Sequence, residues 1–201
     1  MLLEIQGVGK TYLGAGEDVR ALDDVSLSVA EGEFVAVRGP SGCGKTTLLL
    51  VAGGLLAPDT GTVQIDGCDP NAISADERAA FRAKNIGFVF QQFHLIPYLN
   101  VLENVMAPAI ATGLEDASDR ARSIIAKLGL EHRFDHVPGQ LSAGEKQRTA
   151  LARAFLNEPR IILADEPTGN LDAENAEIVL GHLKEFVQGG NAVLLVTHSD
   201  Q

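Results

Sequence analysis

The chain predicts an α/β fold: a mostly parallel sheet core, an N-terminal antiparallel β layer and a helical subdomain. Three observations carry this. "IGFVF" (86–90) and "RIILAD" (160–165) are continuous apolar runs, the pattern of strands buried on both faces. "LLEIQGV" (2–8) and "VSLSV" (25–29) alternate instead, like half-exposed strands. Residues 101–157 lose both strand patterns and take on helical spacing.

The elements follow in order. After the two alternating strands, "EFVAVRG" (33–39) is denser and reads as a buried strand, and a glycine-rich loop then leads into a helix from Lys45 to Leu56. "TVQID" (62–66) is a further strand, closed by a turn at "DGCD". Beyond the strand at 86–90 come "VLENVMAPAIAT", "SDRARSIIAKLGL" and "AGEKQRTALARAFLN". In the last, Gln147, Ala150, Leu151, Ala154 and Phe155 recur at helical spacing. The strand at 160–165, a helix over 173–188 and the strand "NAVLLVTH" (191–198) complete the pattern. No internal repeat or low-complexity linker interrupts it. One domain over 1–201 is expected, with 1–91 and 158–201 as core and 92–157 as the helical subdomain.

Composition narrows the function. The 201 residues are 45% hydrophobic and 5% aromatic, with 21 glycines, which suits a globular chain rich in tight turns. A net charge of −11 argues against a nucleic-acid partner or an anionic lipid surface. Cys43 and Cys68 form no CxxC pair, as fits a reducing cytosol. "MLLEIQ" has no signal-peptide pattern. The longest apolar run, 48–57, is about half the ~20 residues a membrane helix needs, so any membrane role comes through a partner.

Two segments are built for anions. "GPSGCGKTT" (39–47) matches G-x-x-x-x-G-K-[ST] between a strand and a helix. Gly42 and Gly44 let consecutive N–H groups point inward, Lys45 reaches β- and γ-phosphates, and Thr46 offers a hydroxyl to Mg²⁺. "LSAGEKQ" (141–147) is the second: Ser142 with Glu145 reads as a capping box, whose helix start leaves N–H groups free for an anion. "RIILADEP" ends an apolar strand in two acids. Burying an acid there costs several kcal/mol unless it faces a cation or water, which points to Asp165 as a metal-shell ligand and Glu166 as the group polarising a water. His132 and His136 have a helical metal-pair spacing but no third ligand.

Taken together these motifs resemble the nucleotide-binding subunit of an ABC transporter, a P-loop NTPase, along essentially the whole chain. "GPSGCGKTT" is similar to its Walker A, which implies a nucleotide cradle of Gly39, Pro40, Ser41, Gly42, Cys43, Gly44, Lys45, Thr46 and Thr47. "IILADE" resembles Walker B with the family's catalytic glutamate at Glu166, and "VFQQF" (89–93) the Q-loop, with Gln91 as Mg²⁺ and water ligand beside Thr46 and Asp165. His198 falls at the switch histidine, Asp172 of "NLD" in the D-loop, and Tyr12 at the adenine-stacking aromatic.

"LSAGEKQ" resembles the signature segment, implying that Ser142, Ala143, Gly144 and Glu145 serve ATP held by a second copy, in a homodimer closed head to tail. Ala143 stands where the family usually has glycine, and against the family the chain appears short after His198. "FVFQQFHLIPYLNVLENVMAP" and "ILADEPTGNLD" look like the ATPases of macrolide-export, lipoprotein-release and cell-division systems. That implies ATP and Mg²⁺, a membrane permease docked near residues 91–103, and a cytoplasmic place on the inner face of the membrane. The alternative from another class is a soluble ABC ATPase without a membrane partner, such as an iron–sulphur assembly ATPase.

Overall fold

The computed structural model describes residues 1–14 and 16–198. In chain order its strands are β1 (Leu3–Tyr12), β2 (Val19–Val29), β3 (Phe34–Arg38), β4 (Thr60–Ile65), β5 (Ile86–Phe90), β6 (Ile161–Asp165) and β7 (Ala192–Thr197). The helices are α1 (Lys45–Ala52), α2 (Ala75–Asn85), α3 (Val101–Met106), α4 (Ala109–Thr112), α5 (Ala117–Lys127), α6 (Ala143–Phe155) and α7 (Ala173–Gln188).

The strands form two sheets. One is antiparallel in the order β2-β1-β4, and the other is parallel in the order β3-β7-β6-β5. Alternate side chains of the parallel strands enter two separate cores. Ile162, Ala164, Val193 and Leu195 pack towards α3, α5, α6 and α7, whereas Ile161, Leu163, Leu194 and Val196 pack towards α1 and the antiparallel sheet. Both faces of β6 and β7 being covered, these strands read as unbroken apolar runs. The strand expected to be buried at 33–39 is not: β3 lies at the sheet edge, with Ala36 and Arg38 exposed and none of its residues fully buried.

Register decides where the chemistry sits. Arg38 pairs with Thr197, Val196 with Asp165, and Asp165 with Phe90. Residues 39, 91, 166 and 198 therefore all leave the sheet at one carboxyl edge, where open α/β sheets bind their ligands.

The structure differs from the sequence reading in several places, among them β1, which runs on to Tyr12 beyond the expected 2–8, and the 101–112 stretch, which forms two short helices. The helix expected to reach Leu56 ends at Ala52, where Gly53 caps it and Gly54 turns at φ 63°. The strand expected at 25–29 is the end of the longer β2. Helix α2 was not foreseen: Ser74 and Glu77 form a full capping box at its start, yet none of its residues is fully buried, so it has no apolar stripe to read.

Candidate functional site

The 39–47 loop leaves β3 and enters α1 through Gly44, whose φ of 93° is left-handed. A Cβ there would overlap the Ala21 carbonyl, so both conformation and space demand glycine. Gly42 is also left-handed, at φ 80°. Lys45 is 7% exposed and folds back over the loop, donating to the carbonyls of Gly39 (2.7 Å) and Pro40 (2.8 Å). Its ammonium thus fixes the ring of backbone that it crosses. Cys43 is exposed, with its sulfur 4.0 Å from Lys45 Nζ.

Ser41, Gly42, Gly44, Lys45, Thr46 and Thr47 line a cavity of about 290 Å³ together with Tyr12 and Glu166. Tyr12 is 42% exposed, and its hydroxyl lies 3.3 Å from Thr47 Oγ1. An aromatic ring, a helix N-terminus without a side-chain cap and a lysine on one cavity suit a polyphosphate carrying a planar base.

Thr46 Oγ1 donates to Asp165 Oδ2 at 2.8 Å, joining the start of α1 to the tip of β6. Burial pushes the Asp165 carboxyl above its ordinary range. The Thr46 bond and the Lys45 charge oppose this, and the neighbouring Glu166 charge adds to it. A hydroxyl beside a carboxylate is a hard oxygen donor pair, suited to Mg²⁺, which takes its remaining ligands from water and substrate phosphates. Among the described residues no cluster of three or more His, Cys, Asp or Glu side chains forms a self-sufficient metal site.

Glu166 follows β6 at φ 46°, its N–H bonded to the Val196 carbonyl at 2.9 Å. His198 Nδ1 lies 2.6 Å from Glu166 Oε2, so the residues after β6 and β7 meet directly. Gln91 is close by. A Cβ on Gly169 would stand 2.8 Å from Gln91 Nε2 and 3.4 Å from Glu166 Oε2. Asn170 donates to the Gln91 carbonyl at 2.9 Å. Glu166 thus has His198 against it and Gln91 nearby, and of the three it alone lines the cavity of the 39–47 loop; a carboxylate so placed can orient and deprotonate a water.

Ser142, Ala143, Gly144, Glu145 and Asp172 do not line this cavity. Ser142 caps α6 with a complete box: Glu145 N donates to Ser142 Oγ (3.2 Å), and Ser142 N donates to Glu145 Oε2 (2.8 Å). Ser142 and Ala143 are exposed, while Gly144 and Glu145 are buried. Arg133 Nε donates to Glu145 Oε1 at 2.7 Å. Burial pushes the Glu145 carboxyl up, but bonds from the Ser142 N–H, Arg133 and the Ser142 hydroxyl outweigh it, leaving a pKa of about 2. Asp172 caps α7, accepting from Asn175 N at 2.8 Å.

Several contributors went unread in the sequence. Arg153, in the last turn of α6, donates to the carbonyls of His94 (2.6 Å) and Phe93 (2.8 Å), which turn left-handed at φ 46° and 61°. Buried Asn104 bonds the backbone of Ile96, Leu99 and Asn100, so the 94–100 loop is braced. At its tip Tyr98 is 79% exposed. His132 and His136 gather no metal set; His136 instead lies 3.2 Å from Arg133 Nη1.

Comparison with known proteins agrees with this geometry. Residues 22–169 match the ABC transporter family model. The chain is 48% identical over 201 residues to lipoprotein-releasing system ATP-binding protein LolD 1 of Rhodopirellula baltica, covering 98% of this chain and 88% of that protein. It is 46% identical to the macrolide export ATP-binding/permease protein MacB of Chlorobium luteolum, spanning all of this chain but 30% of that one. Among solved structures, a dimeric post-hydrolysis state of the ATP-binding cassette MJ0796 bound to ADP and Pi superposes with a TM-score of 0.91. The identity is 43%, over 98% of this chain and 88% of that one. The chain belongs to the ABC transporter family, as an ATP-binding and ATP-hydrolysing subunit.

Proposed function

We propose that this chain is half of a head-to-tail homodimer that closes on two ATP molecules and powers a membrane export system. One observation carries the reading. The phosphate-fitted 39–47 loop faces Glu166, while a second helix start, exposed at Ser142 and Ala143, lies off that cavity. A site split in this way is complete only when a partner supplies the second start.

In this reading the backbone of Gly39, Pro40, Ser41, Gly42, Cys43 and Gly44 cradles the phosphates, with Lys45 and Thr47, and Tyr12 stacks on the base. Thr46, Asp165 and Gln91 would hold Mg²⁺, which when bound neutralises charge developing on the phosphates. Glu166 accepts a proton from the attacking water, and His198, 2.6 Å away, orients the carboxylate. Ser142, Ala143, Gly144, Glu145 and Asp172 act on the partner's nucleotide.

No helix among the described residues is long and apolar enough to cross a membrane. Export therefore rests on a permease, docked at the braced loop carrying Tyr98, with the chain lying on the cytoplasmic face. The names of the relatives, lipoprotein release and macrolide export, support an export system of that kind.

The test uses Glu166→Gln, which keeps shape but removes the base. Hydrolysis should fall about 10²-fold or more, with an ATP-dependent dimer accumulating by light scattering. Mixing Ala143→Asp with Lys45→Ala chains, each also carrying Glu166→Gln, leaves one intact composite site and should restore association that neither chain shows alone. Full-rate hydrolysis by a strict monomer would refute the reading.

A further inference from the structure

We infer that Asn175 is a positioning residue that welds Asp172 to the start of α6, so that both partner-facing elements present one preformed surface; this rests on the head-to-tail reading above. Neither residue type nor spacing marks Asn175 in the sequence. It sits in the first turn of α7, half-buried, with its carbonyl engaged by α6 and its amide nitrogen by the cap of α7.

The carbonyl side faces α6. Arg148 Nη1 donates to Asn175 Oδ1 at 2.8 Å, across 27 residues of sequence. The other end faces Asp172, with Asn175 Nδ2 donating to Oδ1 and Oδ2 at 3.0 Å each. The backbone N–H of Asn175 adds a third donation to Oδ1 at 2.8 Å. A carboxylate facing three donations has little rotational freedom.

Shape adds a second constraint. The Gly144 backbone lies flat against the Asn175 amide: a Cβ on Gly144 would overlap Oδ1 and Cγ and come within 3.1 Å of Nδ2. The buried glycine next to exposed Ala143 is thus held against the same amide that holds Asp172. Arg148 Nε is buried without a partner, so the Asn175 amide is the acceptor that the structure gives this guanidinium. Asn suits the bridge because one end accepts and the other donates. An acid would repel Asp172, and an aliphatic residue would reach neither partner.

When the partner's γ-phosphate meets the α6 start, Asp172 is consequently already in place, and the dimer does not spend binding energy ordering it. Losing the bridge should slow turnover and weaken association without touching the chain's own nucleotide cradle, whose lining excludes Asn175.

Two variants separate position from packing. Asn175→Ala removes the bridge. Asn175→Asp preserves shape and the Arg148 contact while repelling Asp172. Both should bind ATP as monomers like wild type by calorimetry. Losing one bridging hydrogen-bond set should cut kcat about tenfold, with KM within about twofold, in chains that keep Glu166, and cut ATP-dependent association about tenfold in the Glu166→Gln background. The decisive arm mixes Asn175→Ala with Lys45→Ala in that background. Head-to-tail geometry puts both lesions in one composite site, so association should recover several-fold over either chain alone.

Wild-type kcat and association in both variants, measured well below their melting points, would overturn the inference. So would a loss that mixing fails to rescue, since the defect would then lie within the chain's own site. The Ala143→Asp and Lys45→Ala pair runs alongside. If it associates while Asn175 variants behave as wild type, only the bridge is wrong. If it does not associate, the dimer reading falls and the bridge with it.

Discussion

Glu145 offers a stability test that reaches the start of α6 without any nucleotide. Its carboxylate takes the Ser142 N–H at 2.8 Å and Arg133 Nε at 2.7 Å, and its side chain is 12% exposed. Burial raises its pKa, the bonds lower it further, and the folded value of about 2 stands below the reference of 4.5. At about 1.4 kcal/mol per unit this sets an upper bound of about 3.5 kcal/mol, which solvent at the rim trims to about 2 kcal/mol. A charge-assisted hydrogen bond contributes about 1.5–3 kcal/mol, so the two routes agree.

Glu145→Gln keeps an oxygen to accept from Ser142 N–H but loses the charge facing Arg133. It should unfold about 2 kcal/mol more easily at pH 7, with an unchanged urea slope. The sign of the pH dependence follows from the depressed pKa. The contribution is complete above 4.5 and is lost as pH falls through about 2. Urea titrations at pH 7, 5, 4 and 3.5 should therefore show a constant gap down to about pH 5 and then a shrinking one. A gap that stays flat to pH 3.5 would mean that the charge is not what stabilises this cap.

Two further outcomes can be checked. Gly44→Ala forces a Cβ into the Ala21 carbonyl at φ 93°, so it should cost about 1–3 kcal/mol in urea unfolding. It should also lower ATP affinity by calorimetry, because the anion-facing N–H groups are displaced. Arg153→Ala leaves the Phe93 and His94 carbonyls without their guanidinium partner, and should lose about 2 kcal/mol. Limited proteolysis of that variant should cut within 92–99 faster than in wild type; equal rates would show that the turn stands without Arg153.

What could be read in advance was local. The 39–47 loop, the acids ending β6 and the Ser142–Glu145 box are set by residues a few positions apart, and each lies where its spacing put it. Parallel strands were legible because burial on both faces erases alternation. α2 escaped because a helix with no fully buried residue leaves only its cap to show it. Arg153, Asn104 and Asn175 escaped for a different reason. Arg153 reaches across 59 and 60 residues and Arg148 meets Asn175 across 27, distances over which a single sequence gives no pairing signal. Asn104 works over eight residues, but its four bonds are to backbone and leave no trace in residue types.

Arg153 has a mechanical consequence. From Ala143 to Arg153 helix α6 is a strut about 15 Å long, at 1.5 Å per residue. Its far end grips two consecutive carbonyls through a half-buried guanidinium, and hydrogen bonds of 2.6 and 2.8 Å do not survive an ångström of slippage. Tilting the strut by about 10° around Ser142 would carry the Phe93–His94 peptide through about 2.5 Å. Gln91, two residues upstream and beside Glu166, lies at the other root of that peptide. Leverage at the helix start is therefore delivered as travel to the turn that follows β5, and a load applied to that turn returns along the same strut.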